Sequence, residues 1–329
     1  MAGGGHAAAF SISFGTVLVV GIAGVLLMLN DSWQRQPHEG DVFLASYPRS
    51  GNNYARFLLA NLYAYNRSGG DPFETTLVDF QNVEDLIPDL EYRPNRHGFS
   101  SHTGPRVFKS HMPYLPEAQP PDCRRHLGRA AAPDVCECPN CCAKWKKVLY
   151  LVRDGRDVLC SYTEFRKRLG NVPKDTTLLQ FMHMESYPGM SWSKHVETYL
   201  ELNATAGSGV DLLILRYEDM LAEPRATLRR MAEWAGLPAT DAALSWALSH
   251  STFEYMSRVE SENGLRIFDE EHAKRDSRFR VVRKGVQGSY KECFQAAGDP
   301  ELARMAFLLS EGDTMVKLGY LSSLEEPWW

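Results

Sequence analysis

YPRSGNNYARFLL, residues 47–59, follows directly on the apolar run VFLAS, residues 42–46. Together they read as a buried strand, a tight turn containing glycine, and a helix on which Tyr54, Phe57, Leu58 and Leu62 share one face. Such a junction is an anion site, because backbone N–H groups point out of a helix N-terminus and the helix dipole favours negative charge there. Gly51 lets the backbone approach a phosphate closely, with Ser50 beside it in the turn. Arg49 adds a fixed cation, and Asn52 and Asn53 offer amide donors. The turn is not a Walker A loop, which needs two spaced glycines and a Lys–Ser/Thr pair. That missing pair argues against a P-loop kinase or NTPase.

Outward from this junction, RVFK (106–109), KVLYLV (147–152) and DLLILRY (211–217) read as further strands, the last two as buried ones. Helices are expected over about 79–87, about 154–168 and 223–237. The third places Leu228, Met231, Ala232 and Ala235 on one face, with Pro224 in its first turn and Gly236 at its C-cap. Strands alternating with helices predict an α/β fold, a central parallel sheet with helices on both faces. The 44% hydrophobic and 11% aromatic content supplies a core for one large domain, placed at 41–329.

Residues 8–29 carry no charge and are long enough to span a bilayer. No Lys or Arg precedes residue 35, unlike a cleaved signal peptide, so 1–30 is expected to hold an uncleaved transmembrane signal anchor, followed by a short stem at 31–40. The flanking charges leave orientation open. Sequons at Asn30, Asn66 and Asn203, the latter two in loop-like stretches, favour a single-pass Golgi protein with a lumenal catalytic domain. Five cysteines between 123 and 142, inside an insertion at about 117–145, point the same way. They are expected to form disulfides, with zinc at Cys138 and Cys141 near His126, or free thiols, as alternatives. Cys160 reads as a small buried hydrophobe. The net charge of −5 excludes non-specific nucleic-acid binding through the global field.

Three further segments follow YPRSGNNY in order: FKSHMP (108–113), YLVRDGRDVLCSY (150–162) and RKG (283–285). With Arg153 and Ser161 eight residues apart, the chain resembles the sulfotransferase family that uses 3'-phosphoadenosine 5'-phosphosulfate (PAPS), from about Asp41 to about Phe294. The resemblance implies the P-loop-NTPase-like sulfotransferase fold and in-line transfer of a sulfuryl group to a hydroxyl or amine, with no metal. His111, after a strand end and with an imidazole suited to proton abstraction, is the expected general base. Lys109, two residues earlier on the same strand face, is expected to stabilise charge on the reacting group. Arg49 stands where the family commonly has Lys; its rigid fork suits the 5'-phosphosulfate but not proton donation. Arg153 and Ser161 resemble the residues that grip the 3'-phosphate, and Arg283, Lys284 and Gly285 a final phosphate segment. Tyr217, Tyr54 (in place of the usual Trp), Ser251 and Phe253 resemble adenine contacts. Arg156 and Asp157 read as a solvated helix start, and the charged stretch 266–284 as a flap over the cofactor or a solvated loop. The acceptor is expected to be a carbohydrate first, a lipid or small alcohol second, shaped by 66–105 and the Cys-rich loop. A membrane-tethered adaptor with a degenerate site is the reading of another class. Oligomeric state stays open, and the terminal EEPWW either packs on the domain or meets a partner.

Overall fold

Among the described residues, alternation along four strands sends side chains into two separate cores. The computed structural model describes residues 39–91, 104–114, 145–184, 188–204, 208–265 and 279–328. The strands are β1 (Val42–Ser46), β2 (Val107–Ser110), β3 (Lys147–Val152) and β4 (Asp211–Arg216). All pair in parallel, in the order β2-β1-β3-β4. Val42 and Leu44, Leu149 and Leu151, and Leu213 and Leu215 face one core, while Phe43, Phe108, Val148 and Tyr150 face the other. A parallel sheet buried on both faces needs this double supply of apolar residues.

Helices cover each face. The helices α1 (Asn52–Arg67) and α2 (Val83–Leu86) follow β1, and α3 (Gly155–Arg168), α4 (Leu178–Met182) and α5 (Trp192–Ala204) follow β3. After β4 come α6 (Tyr217–Ala222), α7 (Pro224–Ala235), α8 (Asp241–Ser249), α9 (Phe253–Asn263), α10 (Tyr290–Gln295) and α11 (Pro300–Lys317). The first core is closed by α1, α7, α8 and α9, and the second by α3, α4, α5, α10 and α11. On α7, Leu228, Met231, Ala232 and Ala235 are all buried, Pro224 opens the helix, and Gly236 caps it at φ 79°.

Several expectations need correction. Strand β4 is the sheet edge rather than a fully buried strand: Leu213 and Leu215 point inward while Asp211 is exposed. Asn66 and Asn203 lie in the last turns of α1 and α5, not in loops. Cys160 on α3 is no inert hydrophobe but forms a disulfide with Cys293 on α10. Arg156 and Asp157 are buried rather than solvated, with relative exposures of 6% and 0%. The guanidinium of Arg156 pairs with Asp154 at 2.7 Å and lies 4.0 Å from the ring centre of Tyr290 and 5.1 Å from that of Trp328. Trp328 itself packs edge-on against Phe294 and Phe307, so this part of the terminal EEPWW packs on the domain. The expected membrane span at 8–29, the cysteine cluster at 123–142 and residues 266–278 of the charged stretch 266–284 lie outside the described residues.

Candidate active site

Strand order reverses at β1, so its neighbours β2 and β3 are reached by connections leaving in opposite directions. In open α/β sheets the crevice outside the strand carboxyl ends at such a point takes the ligand. Here a cavity of about 430 Å³ is lined by residues from the β1, β2 and β3 ends and from α9.

The turn after β1 closes with Ser50 N–H donating to Tyr47 O at 3.2 Å. Arg49 takes φ 71° and Gly51 φ 96°. A Cβ on Gly51 would come within 2.3 Å of Tyr217 Cδ2, so the pass of that ring demands glycine. Arg49 Nε donates to Ser161 Oγ at 3.1 Å and its Nη2 to Val281 O at 3.0 Å. Arg153 Nη2 donates to Val286 O at 2.8 Å and lies 3.4 Å from Asp157, with its guanidinium 4.7 Å from the Tyr217 ring centre. Arg283 lines the same end. Burial, then the charges of Arg283 and Arg153, push the Arg49 pKa down to about 10. Burial foremost lowers that of Arg283 as well. Ser50 Oγ and Arg153 Nε are buried without a hydrogen-bond partner. Mutually repelling guanidiniums, one with an unsatisfied Nε–H, beside a helix N-terminus suit a polyanion with several phosphate oxygens.

The segment carrying Arg283, Lys284 and Gly285 is anchored on both sides. Val281 and Val282 N–H groups donate to the Glu260 carboxylate at 2.5 and 2.9 Å. Gly288 N–H, Ser289 O–H and Tyr290 N–H donate to Asp157 at 2.8, 3.0 and 2.8 Å. Gly285 adopts φ 63°, and a Cβ there would meet Phe253 Cδ2 at 2.7 Å. Lys284 lies 3.4 Å from Glu292 and still borders the cavity.

Tyr54, Tyr217 and Phe253 all reach the cavity, where Phe80, Met256 and Leu265 extend an apolar stretch beside them. Asn52 and Asn53 line it too, although the Asn52 amide also donates to Ser46 Oγ at 3.1 Å. Ser251 stands apart: it is fully buried, and its hydroxyl accepts from Asn61 Nδ2 at 3.2 Å. Ser50 contributes its backbone to the turn and does not line the cavity.

His111 stands just beyond β2. Its Nδ1 lies 2.8 Å from Ser46 O, a carbonyl that can only accept, so Nδ1 carries the proton and Nε2 the lone pair. Burial first, then nearby Lys109, hold its pKa well below the usual imidazole value. Neutral imidazole is the form a base requires. Lys109 is buried, 2.7 Å from Asp89 and 3.4 Å from Glu91. Burial lowers its pKa, but the two carboxylates outweigh that and the net direction is up, so it stays charged. Glu91 also accepts from Ser110 Oγ and from the His111 backbone N–H.

Three residues missing from the sequence reading complete this corner. Asp89 and Glu91 reach Lys109 because residues 88–90 run beside it, Lys109 N–H donating to Pro88 O at 2.9 Å and Leu90 N–H to Lys109 O at 3.0 Å. The D-x-E spacing, which puts both carboxylates on one side of an extended segment, was the available signal. His195 on α5 is fully buried between Tyr150 O–H, 3.0 Å from its Nδ1, and His111 O, 3.0 Å from its Nε2. One turn on, Tyr199 O–H donates to Met112 O at 2.7 Å, so α5 fixes the backbone that carries His111.

A sulfotransferase domain model matches residues 138–303. An amine sulfotransferase from Oryctolagus cuniculus is 23% identical over 257 residues, 77% of this chain and 75% of its own. A 3-alpha-hydroxysteroid sulfotransferase from Cavia porcellus is 26% identical over 261 residues, 78% and 79% of the two chains. The crystal structure of mouse sulfotransferase SULT7A1 complexed with PAP shares the fold at TM-score 0.51 and 17% identity, covering 88% of this chain and 91% of its own. The expected placement as a single-pass Golgi protein is corrected. Among the described residues no helix is long and apolar enough to cross a membrane. A relative from Arabidopsis thaliana, 27% identical over 218 residues (62% of this chain, 59% of its own), is named cytosolic sulfotransferase 7. The domain match spans just over half of the chain and takes in the Arg153 helix start and the Arg283 segment, so the chain belongs to the sulfotransferase family and is a PAPS-dependent enzyme that moves a sulfuryl group to a hydroxyl or amine.

Proposed function

We propose that the domain at 41–329 sulfonates a small hydroxyl- or amine-bearing acceptor, with His111 as general base. The carbohydrate expectation leaned on a lumenal placement and loses that support. Relatives named for amine and hydroxysteroid substrates favour a small acceptor. PAPS supplies the sulfuryl group and a phosphate leaving group. In this reading Arg153, Ser161 and Arg283 hold the 3'-phosphate. Arg49 and the amides of residues 50–54 hold the 5'-side. Lys284 and Gly285 close the phosphate segment, and Tyr54, Tyr217 and Phe253 flank the base. His111 Nε2 takes the acceptor proton as the new S–O or S–N bond forms. The bond to the bridging oxygen breaks, and Arg49 stabilises charge growing on the departing phosphate. Lys109, held by Asp89 and Glu91, contributes positive charge beside the base.

The observation that carries this reading is the convergence of Arg49, Arg153 and Arg283 on one cavity end, with His111 lining the same cavity. Calorimetric titration with PAP tests it. Arg153→Ala and Arg283→Ala are each expected to weaken PAP binding about 10- to 100-fold, the worth of a charged hydrogen bond. Unchanged affinity in both variants would sink the assignment. Binding by the wild type without turnover of any acceptor would favour the adaptor instead.

A further inference from the structure

Not every cation in the cavity is accounted for by the donor. Arg49 bonds Ser161 and Val281, Arg153 bonds Val286, Lys284 faces Glu292, and Lys109 sits between two carboxylates. Arg56 pairs with Glu84 at 2.8 Å. Arg166 lines the cavity too, yet its guanidinium makes no hydrogen bond or ion pair with any described residue. The guanidinium lies 5.8 Å from the centre of the Tyr162 ring, and its Nε is buried without a hydrogen-bond partner. Cations at a helix C-terminus are ordinarily explained by the macrodipole, and Lys167 on the same turn fits that view, 3.7 Å from Glu164. Arg166 differs, because it is turned into the cavity and left uncompensated.

Its place on α3 separates it from the phosphates. Ser161, which meets Arg49, lies five residues earlier, about 7.5 Å back along the helix axis at 1.5 Å per residue. Arg166 instead stacks with Tyr162, whose ring packs edge-on against Tyr47 at the end of β1, the strand that also positions His111 through Ser46. Past it the helix ends, and Asn171 N–H returns to Arg166 O at 3.0 Å across Gly170 at φ 72°. That return brings Asn171 into the cavity lining with Arg166.

We propose that Arg166, with Asn171, anchors a carboxylate on the acceptor, so that the preferred substrates are small hydroxyl or amine compounds bearing a carboxylic acid. A planar guanidinium matches a carboxylate with two parallel bonds, and an amide N–H beside it adds a third donor. The proposal rests on the sulfuryl-transfer reading of the cavity given above.

Three phenols with the same nucleophile test it: 4-hydroxyphenylacetate, 4-ethylphenol and tyramine, assayed with PAPS at low and high salt. The wild type is expected to show the highest kcat/KM with 4-hydroxyphenylacetate, through a KM that rises with salt. In Arg166→Ala the ratio of kcat/KM for 4-hydroxyphenylacetate over 4-ethylphenol should fall about 10- to 100-fold, the worth of one charge-assisted pair. Arg166→Lys should restore part of that ratio. PAP affinity by calorimetry should be the same in wild type and both variants. Equal losses for all three phenols, a preference for tyramine, or no binding of 4-hydroxyphenylacetate to the PAP-loaded protein would each overturn the proposal while leaving the donor site standing. Weakened PAP binding in Arg166→Ala would overturn it by moving the residue to the donor end. Failure of the wild type to bind PAP would instead count against the sulfuryl-transfer site.

Discussion

His111 shows how one imidazole is prepared for a single task. The Ser46 carbonyl sets the tautomer, burial and Lys109 hold the ring neutral, and His195 grips its backbone oxygen from the other side. His111→Gln keeps a polar side chain but no base. We expect kcat to drop about 10²- to 10⁴-fold, the usual range for a lost general base, with PAP affinity retained. Because the pKa lies well below 6.5, the acid limb of kcat/KM should fall well below pH 6.5 rather than at it. A limb at or above that value in rapid-quench assays would contradict the assignment. His111 was legible because a strand end and KSHMP mark it. His195 was not, since its importance comes from contacts with Tyr150 and His111, 45 and 84 residues away.

At the level of elements, the N-terminus of α3 does two jobs. Arg153 turns toward the cavity, while Asp157, one turn later, receives three donors from residues 288–290. The phosphate segment is therefore tied to the helix that faces it. Asp157→Ala would leave those donors in a buried place without an acceptor. Unfolding in urea should show a loss of about 3 kcal/mol, as for other broken buried charge contacts, and PAP binding should weaken as the Arg283 segment loosens. A variant with native affinity would show that the segment holds its shape without Asp157. The strands and the helices α1, α3 and α7 were readable because periodicity is local: Leu228, Met231, Ala232 and Ala235 repeat on one face whatever they pack against. The partnership of Asp157 with residues 288–290 was not readable, because a charge in a first helical turn looks the same in sequence whether water or a distant loop satisfies it.

At the scale of the molecule, two cores flank one sheet among the described residues, and buried histidines link stability to pH. The folded pKa of His195 is depressed from 6.5 to about 4, chiefly by burial, and that of His111 is also depressed. The unfolded chain therefore takes up protons first. Stability is full above pH 6.5 and falls as the pH drops toward about 4, by up to about 1.4 kcal/mol per unit for each group. Urea midpoints measured from pH 7.5 to 4.5 should decline across this window, and His195→Phe should flatten the slope. PAP should raise the melting temperature in proportion to the logarithm of its concentration, and less so at high salt, since the binding charges are all cationic. The Cys160–Cys293 bond reaches across 133 residues of chain, from the helix that bears Ser161 to the one that follows Arg283. A protease cut between Cys160 and Arg283 would therefore yield two pieces that migrate apart only after reduction. The fragment carrying Arg49 and Arg153 would stay fastened to the one carrying Arg283, so a nicked molecule would keep both halves of its phosphate grip in one particle.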